Sequence, residues 1–382
     1  MALFMESKTS SEQEGAKSTP IDILLLLSMI LLISFGILMV YSASRDLDGS
    51  RLMERQVVFA GIGLGLFLLL SWMDYREFRL FSPVVYAVTI FMLTIVFAQA
   101  KVAGTNRWLS LPGGFNLQPS EFAKLSVILL LAAVLAGTFD DEDLTWRRLG
   151  AALLMLALPG ALIVLQPDLG TALAFGFVTI VVLFAAGATI WQLSGLFSLA
   201  GLGVWIIFKY ELLLDYQLAR LTSFLDPAAD KLGSGYNVLN SLTTIGSGQL
   251  FGRGLFNGAL TERSFVPEQE TDFIFTAVGE QLGFIGGALV LFAYALIILR
   301  LLRIATAASD RFGSLIAVGV AGLFVFHVIV NVGMTLAVMP VTGLPLPFMS
   351  AGGSSMLAMC MALGVAHSVW RHRDLKPARS KS

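Results

Sequence analysis

The sequence predicts an all-α polytopic membrane protein of about ten transmembrane helices with one long extracytoplasmic loop. Three observations predict it. Of the 382 residues, 56% are hydrophobic and only 13% charged, whereas roughly a quarter of a soluble domain is charged. Mean hydropathy is +0.80. The apolar residues are gathered in runs of about twenty, the length that crosses a bilayer core. Backbone groups in lipid must bond within their own segment, so such runs form helices. They overrule the two or three soluble domains that length alone suggests.

Residues 1–20 are polar and rich in Ser, Glu and Lys, the composition of a disordered tail. The first apolar run, Ile23 to Tyr41, precedes Ser42-Ala43-Ser44, which has the look of a signal-peptidase site. The run is too long for a signal core and many more follow, so it reads as an uncleaved first helix over 21–41. Asp22 suits its N-terminus, where the helix dipole favours an acid. Further helices are predicted over 55–72, 79–98, 121–138, 149–166, 169–187, 190–209, 273–300, 312–338 and 347–370. Gln166-Pro167-Asp168 alone parts the fifth from the sixth, and reads as a tight turn because Pro167 cannot continue a helix. Together they make one membrane domain, 21–370, with a basic tail over 371–382.

The long connection, 210–272, carries Tyr216, Phe224, Tyr236, Phe251 and Phe256, and so reads as a packed cap rather than a linker. Its glycine pairs, Gly246 with Gly248 and Gly252 with Gly254, lack the strand and helix of a dinucleotide fingerprint and read as turns. Pro340, Gly343, Pro345, Pro347, Gly352 and Gly353 imply either re-entrant backbone or an ordinary short turn.

Orientation follows from the basic residues. With both termini on one side, that side holds about fourteen Lys and Arg, against five in the short loops opposite. Both termini are therefore expected in the cytoplasm, and the acidic run Asp140 to Asp143 in a solvated cytoplasmic turn. Net charge is −1, so no field draws the chain to nucleic acid. One cysteine, Cys360, permits neither an internal disulfide nor a thiolate metal cage.

Ionisable residues inside membrane segments are costly and mark function. Glu121 and Lys124 share a face at i, i+3. Asp168 sits between the fifth and sixth helices, and Asp272 and Glu280 open the eighth. Glu121, Lys124, Asp168 and Asp272 all fall at the outer boundary, which implies one polar site opening outward beneath the long loop. A buried salt-bridge network that fixes helix packing fits the same residues. His327 and His367 are too far apart for a metal site and read as packed or hydrogen-bonded histidines.

The segment Phe265 to Phe275 (FVPEQETDFIF), followed by Gly279-Glu280-Gln281-Leu282-Gly283, closely resembles the signature of the SEDS family, to which RodA and FtsW belong. So do Asn106-Arg107-Trp108-Leu109, Gln118-Pro119-Ser120-Glu121, Gln166 to Thr171, Leu225-Asp226-Pro227, Gly235-Tyr236, Asn331 to Met334, and Gly343 to Pro347 with Gly352 to Ser355. The Gln269 that follows Pro267-Glu268, and the short tails, look more like RodA than FtsW. Two departures stand out: Glu270 where the family has His, and Ala351 where it has Tyr.

The resemblance implies a ten-helix glycosyltransferase of the bacterial cytoplasmic membrane, polymerising lipid II into peptidoglycan on the outer face beside a class B penicillin-binding protein. It implies a role in cell shape and elongation, with FtsW-like division as the alternative. Asp272 is then the essential carboxylate, a general base for the acceptor hydroxyl. Arg107, Arg220 and Lys124 are candidate partners of the pyrophosphate, with Glu121 holding Lys124, and Asp168 and Glu280 as further substrate-binding candidates. A divalent cation, Mg or Mn, could share the phosphate charge. Rival readings are a lipid II flippase, which needs a polar path through both leaflets, and a scaffold, which needs no buried charges.

Overall fold

In a computed structural model, residues 21–45, 49–99, 107–111, 115–137, 144–210, 218, 220, 222–224, 226 and 233–374 are described. The predicted tail over 1–20, the acidic run Asp140 to Asp143, Asn106, Leu225 and Pro227 lie outside them.

Helices cover all ten apolar runs. They are α1 (Ile23–Ala43), α2 (Gly49–Trp72), α3 (Tyr75–Ile95), α4 (Pro119–Leu135), α5 (Trp146–Leu165), α6 (Leu169–Ala185) and α7 (Ile190–Lys209). Within and after the long loop come α8 (Ser234–Ser247), α9 (Ala259–Glu262), α10 (Ile274–Ala307), α11 (Arg311–Thr335) and α12 (Gly353–Arg371). Eight of the helices are long and apolar enough to cross a membrane. The shorter α6 is apolar as well, and α4 carries Glu121 and Lys124. Side-chain caps start the helices where the sequence changes character: Asp22 accepts from the amide of Leu25, Asp310 from that of Gly313, and Thr189 with Gln192 forms a capping box on α7.

Burial sorts the helices. The apolar windows of α11 and α12 are 83% and 78% buried, and that of α7 only 6%. A helix that is apolar all round yet exposed needs an apolar solvent, so α7 presents Trp191, Phe197 and Trp205 to lipid, while α11 and α12 form the axis.

One helix boundary needs correction. The last helix begins at Gly353 rather than 347, because 338–352 is irregular: Pro340, Pro345 and Pro347 lack an N–H to continue a helix, and Gly343 adopts a left-handed φ of 73°. The all-α class holds; its one addition among the described residues is a short antiparallel hairpin, Leu109–Leu111 with Phe115–Leu117, before α4.

The described part of the long loop is a packed cap. Ser241 donates to the carbonyl of Thr335 at 2.7 Å, tying α8 to the end of α11. The turn after α8 lies on α10 at Gly283, where φ is 65° and the amides of Phe284 and Ile285 donate to the carbonyls of Gln249 and Leu250. A Cβ at Gly252 would collide with the carbonyl of Gln281. Gly248 and Gly252 therefore serve close backbone packing against α10, beyond the turns the sequence suggested, whereas an added Cβ at Gly246 would meet nothing within 4 Å.

Candidate active site

Asp272 stands in the turn that enters α10. Its amide donates to the carbonyl of Glu268 at 3.0 Å, and its own carbonyl accepts from the Asn331 side chain of α11 at 2.8 Å. The same Asn331 nitrogen reaches the carbonyl of Leu344 at 2.7 Å. One carboxamide thus joins the base-bearing turn to the irregular segment. The carboxyl itself lies against Gly343, where an added Cβ would stand 3.2 Å from Oδ2. Burial raises the pKa of Asp272 to about 6, and the Glu268 charge adds to the rise. Arg220 and a hydrogen bond from Thr271 oppose it, and Asp168 supports it. A carboxyl so tuned is largely ionised at neutral pH and basic enough to take a proton.

Asp168 caps α6, accepting from the amide and hydroxyl of Thr171 at 3.2 and 2.9 Å. Gln118 reaches it at 3.4 Å and the Arg107 guanidinium at 3.9 Å. Arg107 also donates to the carbonyls of Gln166 and Pro167, so it clamps the turn between α5 and α6. Arg107, Pro167, Asp168, Gly170, Arg220 and Thr342 line a cleft of about 80 Å³. Asp168, Arg107 and Arg220 thus share one cleft, and the charges of Arg220 and Asp168 act on Asp272.

Lys124, Glu121 and Glu280 are not part of that rim. Lys124 Nζ donates to Glu121 Oε1 at 2.6 Å, and both side chains are 1% exposed. It also meets His327 Nε2 at 3.0 Å, while His327 Nδ1 lies 3.0 Å from the carbonyl of Pro345. A carbonyl only accepts, so Nδ1 carries the proton and Nε2 accepts from the lysine. Lys124, expected at the phosphate, instead locks α4 to α11 and the irregular segment. Its position in the second turn of α4 puts it deeper than the helix start. Glu280, expected at the substrate, is fully buried and accepts from the amides of Leu260 and Thr261 and the hydroxyl of Thr261 at 2.6–2.9 Å. It anchors the cap.

Sequence reasoning passed over Asn331 and His327 as members of the site. Their i, i+4 spacing on α11, two polar groups on one face of an apolar helix, was the available signal. The two departures prove to be neighbours, since the amide of Ala351 donates to the carbonyl of Glu270 at 2.8 Å.

Residues 22–375 match the family model FtsW/RodA/SpoVE, described as a cell cycle protein. The chain is 38% identical over 370 residues to stage V sporulation protein E of Bacillus subtilis, covering 93% of this chain and 98% of that protein. It is 34% identical over 356 residues to the peptidoglycan glycosyltransferase MrdB of Escherichia coli, covering 93% and 95%. Among solved structures, a chain from work on the structural coordination of polymerization and crosslinking by a peptidoglycan synthase complex superposes with a TM-score of 0.80 at 32% identity, over 93% of this chain and 99% of that one.

Proposed function

Because the chain belongs to the FtsW/RodA/SpoVE family, we propose that it is a peptidoglycan glycosyltransferase that polymerises lipid II on the outer face of the bacterial cytoplasmic membrane. The observation that carries this reading is Asp272, a carboxyl raised to about 6 beside a cleft that holds Arg107 and Arg220. Asp272 takes the proton from the 4-hydroxyl of the acceptor sugar. The freed oxygen attacks the anomeric carbon of the donor, and the bond from that carbon to the lipid pyrophosphate breaks. Arg107 and Arg220 offset the charge on the leaving group, since guanidinium suits bidentate phosphate contact. Asp272 then releases its proton to solvent.

Among the described residues no three His, Cys, Asp or Glu group closely enough to hold a metal ion. A Mg²⁺ or Mn²⁺ ion would rely on substrate phosphates plus one or two carboxylates, with Asp168 the carboxylate placed to share it. The proton transfer does not depend on that ion. Both termini face the cytoplasm in this reading, which places Asp272 outside. A class B penicillin-binding protein is the partner the family resemblance implies, and the structural neighbour concerned with both polymerization and crosslinking supports it. The RodA-like reading, cell elongation, rests on Gln269; FtsW-like division is the other assignment.

The test is glycan synthesis from lipid II by purified protein with its partner. Asp272→Ala should lower polymerisation by about 100-fold or more while still eluting as a folded monodisperse species. Near-normal glycan from that variant would end the assignment.

A further inference from the structure

An apolar recess of about 450 Å³ lies between α3, α4 and α5, lined by Pro83, Tyr86, Leu130, Ala133, Met155 and, towards the start of α3, Arg79. It is remote from Asp272. Tyr75 opens α3 and donates to Asp310 at 2.6 Å, and Asp310 follows the end of α10 opposite Asp272. Two prolines shape the recess. Pro83 and Pro159 have no N–H for the carbonyls four residues back, those of Arg79 and Met155. Ser82 donates to the first at 3.0 Å, and the Tyr86 hydroxyl crosses from α3 to donate to the second at 2.6 Å. Both freed acceptors are thus spent inside the protein, and the walls stay apolar. Arg79 stands seven residues before Tyr86, and Arg148 seven before Met155. Seven residues are two turns, so each arginine shares its helix face with the recess-lining residue, about 10 Å nearer the membrane rim. Arg148 spends one nitrogen on the carbonyl of Gly137 at 2.9 Å. Arg79 is exposed, and no hydrogen bond or ion pair engages its guanidinium among the described residues.

A partner's spanning helix needs a contact line as deep as the bilayer core, about 30 Å, whereas Arg79 to Tyr86 covers about 10 Å. Sugars and peptides would lose hydrogen bonds to water against walls that return none. An acyl chain loses nothing there, and an anionic head above it meets the arginines at the rim. We propose that this recess is a binding site for an anionic phospholipid. Its acyl chain lies against Leu130 and Ala133, in the space that the proline bends open, and its phosphate sits between Arg79 and Arg148. The site is independent of the glycosyltransferase reading, since it uses no residue of the Asp272 region.

The test is native mass spectrometry of the full-length protein, stripped of lipid in detergent and titrated with phosphatidylglycerol or phosphatidylcholine. The native protein should retain one phosphatidylglycerol at several-fold lower concentration than phosphatidylcholine. Arg79→Gln should weaken phosphatidylglycerol binding about fivefold, the worth of one arginine near anionic lipid, and leave phosphatidylcholine unchanged. Ala133→Phe fills the recess and should weaken both lipids, with elution volume reporting that it folds. Arg303→Gln, which removes an exposed arginine of α10 outside the recess, should bind as the native protein does. An equal loss in Arg303→Gln, or full binding by Ala133→Phe, would reduce the effect to general surface charge and overturn the proposal. So would a native protein without preference for phosphatidylglycerol, the result expected if the acidic run Asp140 to Asp143, which joins α4 to α5 in the chain, neutralises Arg79.

Discussion

An aspartate stands at each end of α10, and the two are put to opposite uses. At one end Asp272 enters the helix; near the other, about 40 Å away at 1.5 Å per residue, Arg300 meets Asp22. Asp22 is saturated. It takes two hydrogen bonds from the Arg300 guanidinium at 2.9 and 2.7 Å and caps α1 through the amide of Leu25. Its own amide donates to His367 Nε2 at 3.0 Å, and its side chain is 1% exposed. Asp272 is held by its backbone, through Asn331 and Glu268, and its carboxyl is left among charges that partly cancel. A carboxylate whose partners are all supplied by the fold knits helices together. A carboxylate whose backbone is fixed and whose side chain is underserved can receive a substrate.

The largest effect that would break this contrast is expected at Asp22. Asp22→Ala leaves the Arg300 guanidinium, 16% exposed, without its counter-ion and should destabilise by about 3–5 kcal/mol, as removal of one member of a buried pair does. Thermal unfolding in detergent measures it, with little change in turnover per folded molecule. Asp272→Asn should act with the opposite sign. A folded pKa raised from 3.8 to about 6 means that ionisation costs stability as pH climbs through that window. Removing the charge should therefore raise stability at pH 7 by on the order of 1 kcal/mol once solvent at the cleft mouth is allowed for, and the melting temperature with it, while abolishing polymerisation. A melting temperature lowered in both variants would erase the distinction.

The pH–rate profile sharpens the same point. Turnover should fall about tenfold per pH unit below an acid limb near 6, because protonated Asp272 cannot accept a proton. The smallest effect is expected from Glu268→Gln, which removes a charge that raises the pKa of Asp272. Its acid limb should move to lower pH, with the plateau rate kept.

Much of this was legible in the chain because the bilayer imposes a length on every apolar segment. The helices over 23–43, 169–185 and 190–209 differ from their predicted limits by two residues at most. The acids Asp168 and Asp272 were legible for a related reason, since they fall where apolar runs end, whereas Arg107 and Arg220 were named only through the family resemblance. The separation of Lys124 from that rim was not. Position near a helix start assigns a depth, and Glu121 supplies the counter-charge locally, but His327, the acceptor that ties Lys124 to α11, comes from a segment about two hundred residues away.

By itself the sequence determined the class of the molecule, its helices and the boundary at which its charges gather, because solvent preference and periodicity act locally along the chain. Which of those charges meet, which are spent on the protein and which remain for a ligand was decided only by the tertiary structure. The packing of α10, α11 and the 338–352 segment brings Asn331 to two carbonyls, and that of α2 against the same segment sets Arg55 and Glu270 on one cleft. Those relations are distances between residues remote in the chain, which no local pattern encodes.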